Sequence, residues 1–234
     1  MTSDVLVLAI ETATADTEVA LCDAAGPLAE FAVRRGRRHV ESLHPAIEQV
    51  LAEGGAALSD LACIAVDVGP GLFTGLRVGV TTAKVLAAST GVPLVAASSL
   101  EVLVAAAAPF AGGEVQVVPV VDMRRGEVAW VLRGQIELGP PAALGVALAS
   151  ADPLKTFLLV GDGAERYEKA IHEVATGQVR FAGKALVTPP ARTLGAIAVS
   201  RLDSGETVDP ARLTPLYLRE ADVKIGWDSR PTTA

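Results

Sequence analysis

Cysteine, histidine and aromatic residues are scarce in this chain, and each shortage removes a class of function. Cys22 and Cys63 are the only cysteines in 234 residues, and both lie in apolar, strand-like contexts. Such placement points to buried thiols rather than a disulfide or a metal ligand, and so to a reducing, cytoplasmic setting. His39 and His44 would sit about 140° apart around a helix and share no face, and His172 stands alone. Each is expected to be a surface or capping histidine, which leaves no metal site. Cys-x-x-Cys, Gly-x-Ser-x-Gly and P-loop patterns are missing. Aromatic residues make up 4% of the chain and the formal net charge is −7, so stacking platforms and a basic stripe for nucleic acid are both lacking. Any nucleic acid is expected to be held mostly by another chain. The short basic cluster Arg34-Arg-Gly-Arg-Arg38 reads as a solvated strand-to-helix turn. No apolar run is long and unbroken enough for a bilayer: the uncharged stretch Val85 to Leu100 is interrupted by Gly91 and Pro93. Asp4 and the missing basic n-region argue against a signal peptide.

What is present is a chain 50% hydrophobic, long enough for one large or two small domains. Val5–Ile10, Glu18–Cys22 and Leu28–Val33 read as a strand meander. Val40, Leu43, Ile47, Val50 and Leu51 then fall on one helical face, and Pro45 implies that the helix starts near Ser42 or is kinked there. Cys63–Val66 is a buried strand that stops at Asp67, and glycines and Pro70 separate it from a helix that begins near Phe73. Along that helix Gly79, Ala83 and Ala87 form a ridge of small side chains flanked by Leu76, Val80 and Leu86. The ridge can pack on the chain's own sheet or receive a partner helix. Because only Arg77 and Lys84 carry charge here, a partner is a real alternative. On that reading Gly79→Leu or Ala83→Glu breaks association and spares the fold.

Beyond Gly113 the scheme begins again. Val115–Val121 ends in Asp122, a turn follows, and Glu127-Val-Ala-Trp130 mirrors Glu18-Val-Ala-Leu21 about 110 residues earlier. Two related lobes are therefore expected, residues 1–108 and 109–220, with a flexible tail over 221–234. Acid-ended strands in two lobes resemble the phosphate cleft of the actin-like ATPase superfamily, an α/β, ribonuclease H-like fold of mixed sheets flanked by helices. Glu11, Thr12, Thr14 and Asp122, with the glycine turn Gly161-Asp-Gly163, are the candidate nucleotide or anion residues. The hairpins depart from the usual Asp-x-Gly: Thr12-Ala13 and Met123-Arg124 follow the acids, so a backbone cannot approach phosphates as closely and efficient phosphoryl transfer is not expected.

Four segments resemble the TsaB (YeaZ) family: Ala9-Ile-Glu-Thr-Ala-Thr14, Gly69-Pro-Gly-Leu-Phe-Thr-Gly-Leu-Arg-Val-Gly79, Val121-Asp-Met-Arg-Arg-Gly-Glu-Val128 and Pro215-Leu-Tyr-Leu-Arg219. Glu11 stands where Asp is common and Leu72 where Ser is usual. The resemblance implies a non-catalytic scaffold that pairs with TsaD, the subunit that threonylcarbamoylates the tRNA adenosine beside the anticodon. It also implies TsaE as a further partner, a homodimer when the chain is alone, only indirect tRNA contact, and no membrane association. The chain itself would require no cofactor, ATP or ADP belonging to the complex. Positions matching the His-x-x-x-His motif of TsaD fall near Ser99 and Leu103, neither a ligand. The implied interface comprises Leu43, Ile47, Val50, Leu76, Gly79, Val80, Ala83 and Ala87. Two enzymatic alternatives stay open: a nucleotide-dependent kinase or ATPase using Glu11 and Asp122, and a peptidase acting on the partner, for which no nucleophile–base pair is visible.

Overall fold

The computed structural model describes residues 5–34, 38–152, 154–175 and 177–218. The expected tail, Arg219 and most of the Arg34–Arg38 cluster lie outside them. The first sheet holds β1 (Val7–Glu11), β2 (Thr17–Asp23), β3 (Gly26–Val33), β4 (Cys63–Asp67) and β5 (Leu94–Ala97) in the order β3-β2-β1-β4-β5. β1, β2 and β3 pair antiparallel, while β4 lies parallel to β1 and β5 parallel to β4. The second sheet repeats this plan with β6 (Val115–Arg124), β7 (Glu127–Val131), β8 (Ile136–Gly139), β9 (Thr156–Val160) and β10 (Gln178–Phe181), in the order β10-β9-β6-β7-β8. Again the first three strands are antiparallel and the last two are added in parallel. The repeat expected from the two strand–acid–turn units is thus a repeat of topology, and the fold is the two-sheet, helix-flanked α/β architecture.

Alternation along β1 and β4 feeds two cores. Leu8, Ile10, Ile64 and Val66 point to α1 (His39–Glu53) and α2 (Phe73–Thr90). Val7, Ala9, Cys63 and Ala65 point to the opposite face, which is covered by α7 (Ala191–Asp203) through Leu194 and Ala198. α7 lies so close that a side chain at Gly195 would collide with Cys22 Sγ. Both cysteines are free and buried. The expected division at residue 108 is corrected here. α7 packs across the small-residue face of the first sheet, where Val102 also contributes to the core. Val208 bridges to Leu94, and Leu216 N–H donates to Val68 O at 2.7 Å, so residues 191–217 belong with the first lobe.

α3 (Ser99–Ala111) runs from the first sheet to the second, its Leu103 and Ala107 buried with Val121 and Val160. Ser98 caps it: Glu101 N–H donates to Ser98 Oγ at 3.2 Å, and Glu101 reaches back to Ser98 N–H at 2.8 Å. Such a reciprocal cap contributes about 1 kcal/mol. In the second lobe α4 (Pro141–Ala149), β8 and β10 form where the sequence offers only short or weakly periodic signals. Two short helices, α5 (Asp162–Arg166) and α6 (Glu168–His172), follow β9 and are divided at Tyr167. α1 starts at His39 rather than Ser42 and leaves Val40 72% exposed.

The docking ridge is the main correction. Gly79, Ala83 and Ala87, with Leu76 and Val80, are buried inside their own subunit, as are Leu43, Ile47 and Val50 of α1. The cause is the loop after β1. A Cβ at Gly71 would strike Ala13 O, one at Gly75 would strike Thr12 O, and one at Gly79 would strike Thr12 Oγ1. Thr12 Oγ1 in turn donates to Gly75 O at 2.8 Å. Gly75 and Gly79 thus admit a loop, while Ala83 and Ala87 pack into the core between the sheet and α1. Replacing a helical glycine by alanine ordinarily stabilises a helix by about 1 kcal/mol. Here the collision with fixed backbone reverses the sign, and Gly75→Ala should lose about 1–3 kcal/mol of stability. Gly79→Leu should lose more. Urea unfolding of the isolated chain measures both, and unchanged midpoints would refute this packing account.

Candidate functional site

The residues singled out as a nucleotide cleft fall into two groups, one per lobe. In the first, Glu11, Thr12 and Thr14 are all buried. Glu11 Oε1 accepts from Ala13 N–H at 2.7 Å, and Thr12 is committed to α2. Thr14 Oγ1 accepts from Asp16 N–H at 3.3 Å. Thr12 and Thr14 are thus committed to local hydrogen bonds, while Glu11 Oε2 is buried with no hydrogen-bond partner. Glu11 instead lies at the end of β1 beside Asp67 at the end of β4. Asp67 Oδ1 accepts from Gly69 N–H at 2.6 Å and from Ser99 Oγ at 2.7 Å. Thus Ser98 caps α3, while Ser99 serves Asp67.

In the second group Asp122 ends the buried part of β6, at 2% exposure. Its Oδ2 pairs with Arg124 Nη1 at 2.8 Å and with Arg166 Nε at 3.5 Å. Its Oδ1 accepts from Arg124 N–H at 2.9 Å and from the Tyr167 hydroxyl at 3.4 Å. The turn that aims Arg124 back onto Asp122 puts Arg124, Arg125 and Gly126 all at positive φ, 62°, 57° and 80°. Two non-glycine residues in that region carry local strain, which the Arg124–Asp122 pair opposes. Gly161 and Gly163 stand where α5 meets β6. A side chain at Gly161 would strike Val120 O, and one at Gly163 would come within 3.0 Å of Asp122 N. These glycines therefore serve close packing of α5 on β6.

Sequence reasoning missed Asp67 and Ser99 as partners of one another, Arg124, Arg166 and Tyr167 as partners of Asp122, and His39 as a buried group. The signal for the first was available, since Ile10-Glu11 and Val66-Asp67 are matching strand ends that a parallel pairing brings together. His39 is 2% exposed, not on the surface as expected. Its Nδ1 shares a hydrogen bond with Thr17 Oγ1 at 3.0 Å, and burial lowers its pKa. His44 is exposed beside Glu48 at 3.3 Å, as a surface histidine should be. Among the described residues no three of His, Cys, Asp and Glu converge as metal ligands do, and no helix is long and apolar enough to cross a membrane.

The outer face of α2 is different in character. Phe73 and Val85 are 43% and 61% exposed. The Arg77 guanidinium lies 4.0 Å over the Phe73 ring, the Tyr217 ring packs 5.3 Å from it, and Arg77 Nε donates to the Tyr217 hydroxyl at 3.1 Å. An exposed cation–π contact contributes about 0.5–1 kcal/mol, enough to hold the patch in shape but not to bury it.

Asp162 supplies a titration test of the second lobe. It accepts from Asp122 N–H at 2.8 Å, and burial pushes its carboxyl up to about 6, a rise only partly offset by that hydrogen bond. Folding raises this group, so its neutral form favours the folded state. That contribution is complete below about pH 4 and is lost as pH rises through about 6. Asp162→Asn has no proton to exchange. As pH falls from 7.5 to 4, wild type should gain on the variant by up to about a hundredfold in folding equilibrium constant. Denaturant curves across that range measure the difference, and parallel responses would refute the assignment.

The family model for TsaD, tRNA N6-adenosine threonylcarbamoyltransferase, matches residues 33–227. The protein named tRNA threonylcarbamoyladenosine biosynthesis protein TsaB in Bacillus subtilis is 31% identical over 94% of this chain and 97% of its own length. Its Escherichia coli counterpart is 29% identical over 96% and 98%. YeaZ from Pseudomonas aeruginosa superposes with a TM-score of 0.74 at 28% identity, covering 91% of this chain and 99% of that one. A ROK hexokinase from Thermus thermophilus, at TM-score 0.50 and 16% identity over 85% and 99%, shares the fold alone. Near-complete coverage in both directions, together with the shared two-sheet plan, places this chain in the TsaB (YeaZ) family.

Proposed function

We propose that this chain is a non-catalytic scaffold in the biosynthesis of tRNA threonylcarbamoyladenosine, pairing with TsaD in the cytoplasm and leaving group transfer to that partner. The observation that carries the reading is the fate of the two strand-end acids. Asp122 is neutralised by Arg124 and Arg166 of its own lobe, and Glu11 is enclosed with Asp67. Neither is placed to assist phosphoryl transfer, which requires an acid able to reach the phosphates or their metal. On this reading the chain binds no cofactor of its own, any ATP or ADP belongs to the assembly with TsaE, and tRNA is touched indirectly.

The surface assigned to TsaD is the outer face of α1 and α2. It offers Val40, Phe73, Thr81 and Val85 beside the Arg77–Tyr217 cluster. Aromatic and arginine anchors of this kind dominate many interfaces. The same face would mediate self-pairing when TsaD is absent. Its side chains are the outward complement of the buried set named from the sequence, on the same two helices.

Val85→Glu and Thr81→Arg alter only exposed positions, so melting temperatures should stay within about 2 °C of wild type. Affinity for TsaD, measured by calorimetry, should fall about tenfold or more. Reconstituted tRNA modification should fall with it and should require this chain. Unimpaired pairing by both variants would move the docking surface elsewhere. ATP turnover by the isolated chain that is abolished by Asp122→Ala would overturn the non-catalytic reading.

A further inference from the structure

Glu11 and Asp67 lie one residue beyond the Ile10–Val66 pair that closes the β1–β4 register. They are 1% and 0% exposed. Each spends one oxygen on its own loop: Glu11 Oε1 on Ala13 N–H, and Asp67 Oδ1 on Gly69 N–H and Ser99 Oγ. The other oxygens, Glu11 Oε2 and Asp67 Oδ2, are buried without a donor. Two ionised carboxylates so placed would leave two acceptors unmet and two like charges in a dry site. One proton resolves both problems, because a protonated carboxyl can donate to its neighbour.

The cations nearby are taken up by other acids: Arg34 lies 3.7 Å from Glu18 and Arg201 lies 2.6 Å from Glu101. β2 contributes Glu18, whose oxygens face Thr188 Oγ1 and Ala191 N–H, each at 3.4 Å. α3 contributes Glu101, paired with Arg201 of α7 at 2.6 Å. α1 contributes His39, engaged with Thr17, and the β1–β2 loop contributes Asp16. The first titratable side chain of α2 is Arg77, which is exposed beside Phe73. Burial first, then the charge of Asp67, holds the Glu11 carboxyl well above its ordinary value, and burial raises Asp67 as well.

We propose that one proton shared by Glu11 and Asp67 is a structural component of the first lobe, joining the loop after β1, the turn after β4 and the start of α3 into the seat of α2. The same segments are linked by main-chain bonds: Leu72 N–H donates to Ala13 O at 2.6 Å and Ser99 N–H to Gly69 O at 2.9 Å. Losing the proton forces charge into that seat and loosens it. Both groups are raised by folding, so their stabilising contribution is complete below about pH 4 and declines as pH rises through the folded values. One shared proton changes the folding equilibrium constant by up to about tenfold per pH unit over that range.

This inference concerns the isolated chain and is independent of TsaD docking, so either can fail alone. Urea unfolding from pH 5.5 to 8.5 should show wild type losing stability as pH rises. Glu11→Gln, whose amide donates permanently to Asp67, should flatten that slope by up to about tenfold per unit. Carbon-13 carboxyl spectra of wild type give a second readout that does not depend on the variant folding. The Glu11 resonance should keep its protonated shift at pH 7. A Glu11 resonance that titrates near its ordinary value of 4.5 in the folded chain would overturn the proposal, as would identical pH slopes for the two proteins. Magnesium or calcium chloride that saturably raises the wild-type melting temperature, but not that of Glu11→Gln, would overturn it in favour of a cation.

Discussion

The contact of Thr12 and Ala13 with the glycine face of α2 is the constraint on which the first lobe depends. Gly71 in the turn before α2, and Gly75 and Gly79 on α2, recur every fourth residue and meet Ala13 O, Thr12 O and Thr12 Oγ1 in turn. A helix approaches backbone this closely only where side chains are absent. The approach fixes the height of α2 above the sheet, so Leu76, Val80, Ala83 and Ala87 fall into the core and Phe73, Arg77 and Val85 face outward. The most distinctive motif in the chain is thereby a device for internal packing, and its outward consequence is the orientation of the exposed patch.

The two lobes share a strand plan and treat their terminal acids in opposite ways. In the second lobe an arginine two residues after the acid folds back through a strained turn to neutralise Asp122. In the first lobe Glu11 meets another acid rather than a cation, because β4 places Asp67 alongside it. Duplicated topology thus supplies two equivalent positions, and local side chains decide what each becomes. Asp122 is thereby paired with two cations, whereas Glu11 keeps one oxygen buried without a donor.

Much of the architecture was legible because strong local signals carried it. Apolar runs ending in acids gave β1, β4 and β6. Gly69-Pro-Gly71 gave the break before α2. The weaker elements were not legible: β10 is four residues long, and α4 is apolar on all sides, so neither has a usable period. The site was read less well than the fold. Glu11 and Asp122 were identified as strand-end acids, but their partners Asp67, Arg124 and Arg166 depend on pairings between segments. The burial of His39 beside Thr17 likewise follows from how α1 lies against β2.

The amino-acid sequence by itself determined the strand and helix periods, the duplicated acid-ended strands and the family, since these reside in local pattern and motif identity. Only the tertiary structure decided which side of α2 faces inward, that α7 closes the first lobe rather than the second, and that Glu11 and Asp67 lie together. A stripe of glycine and alanine is equally suited to a sheet, a loop or a partner helix, and its spacing is the same in all three cases. Here Thr12 takes the glycine end of the stripe and the sheet core takes Ala83 and Ala87, and that is a fact about packing in three dimensions.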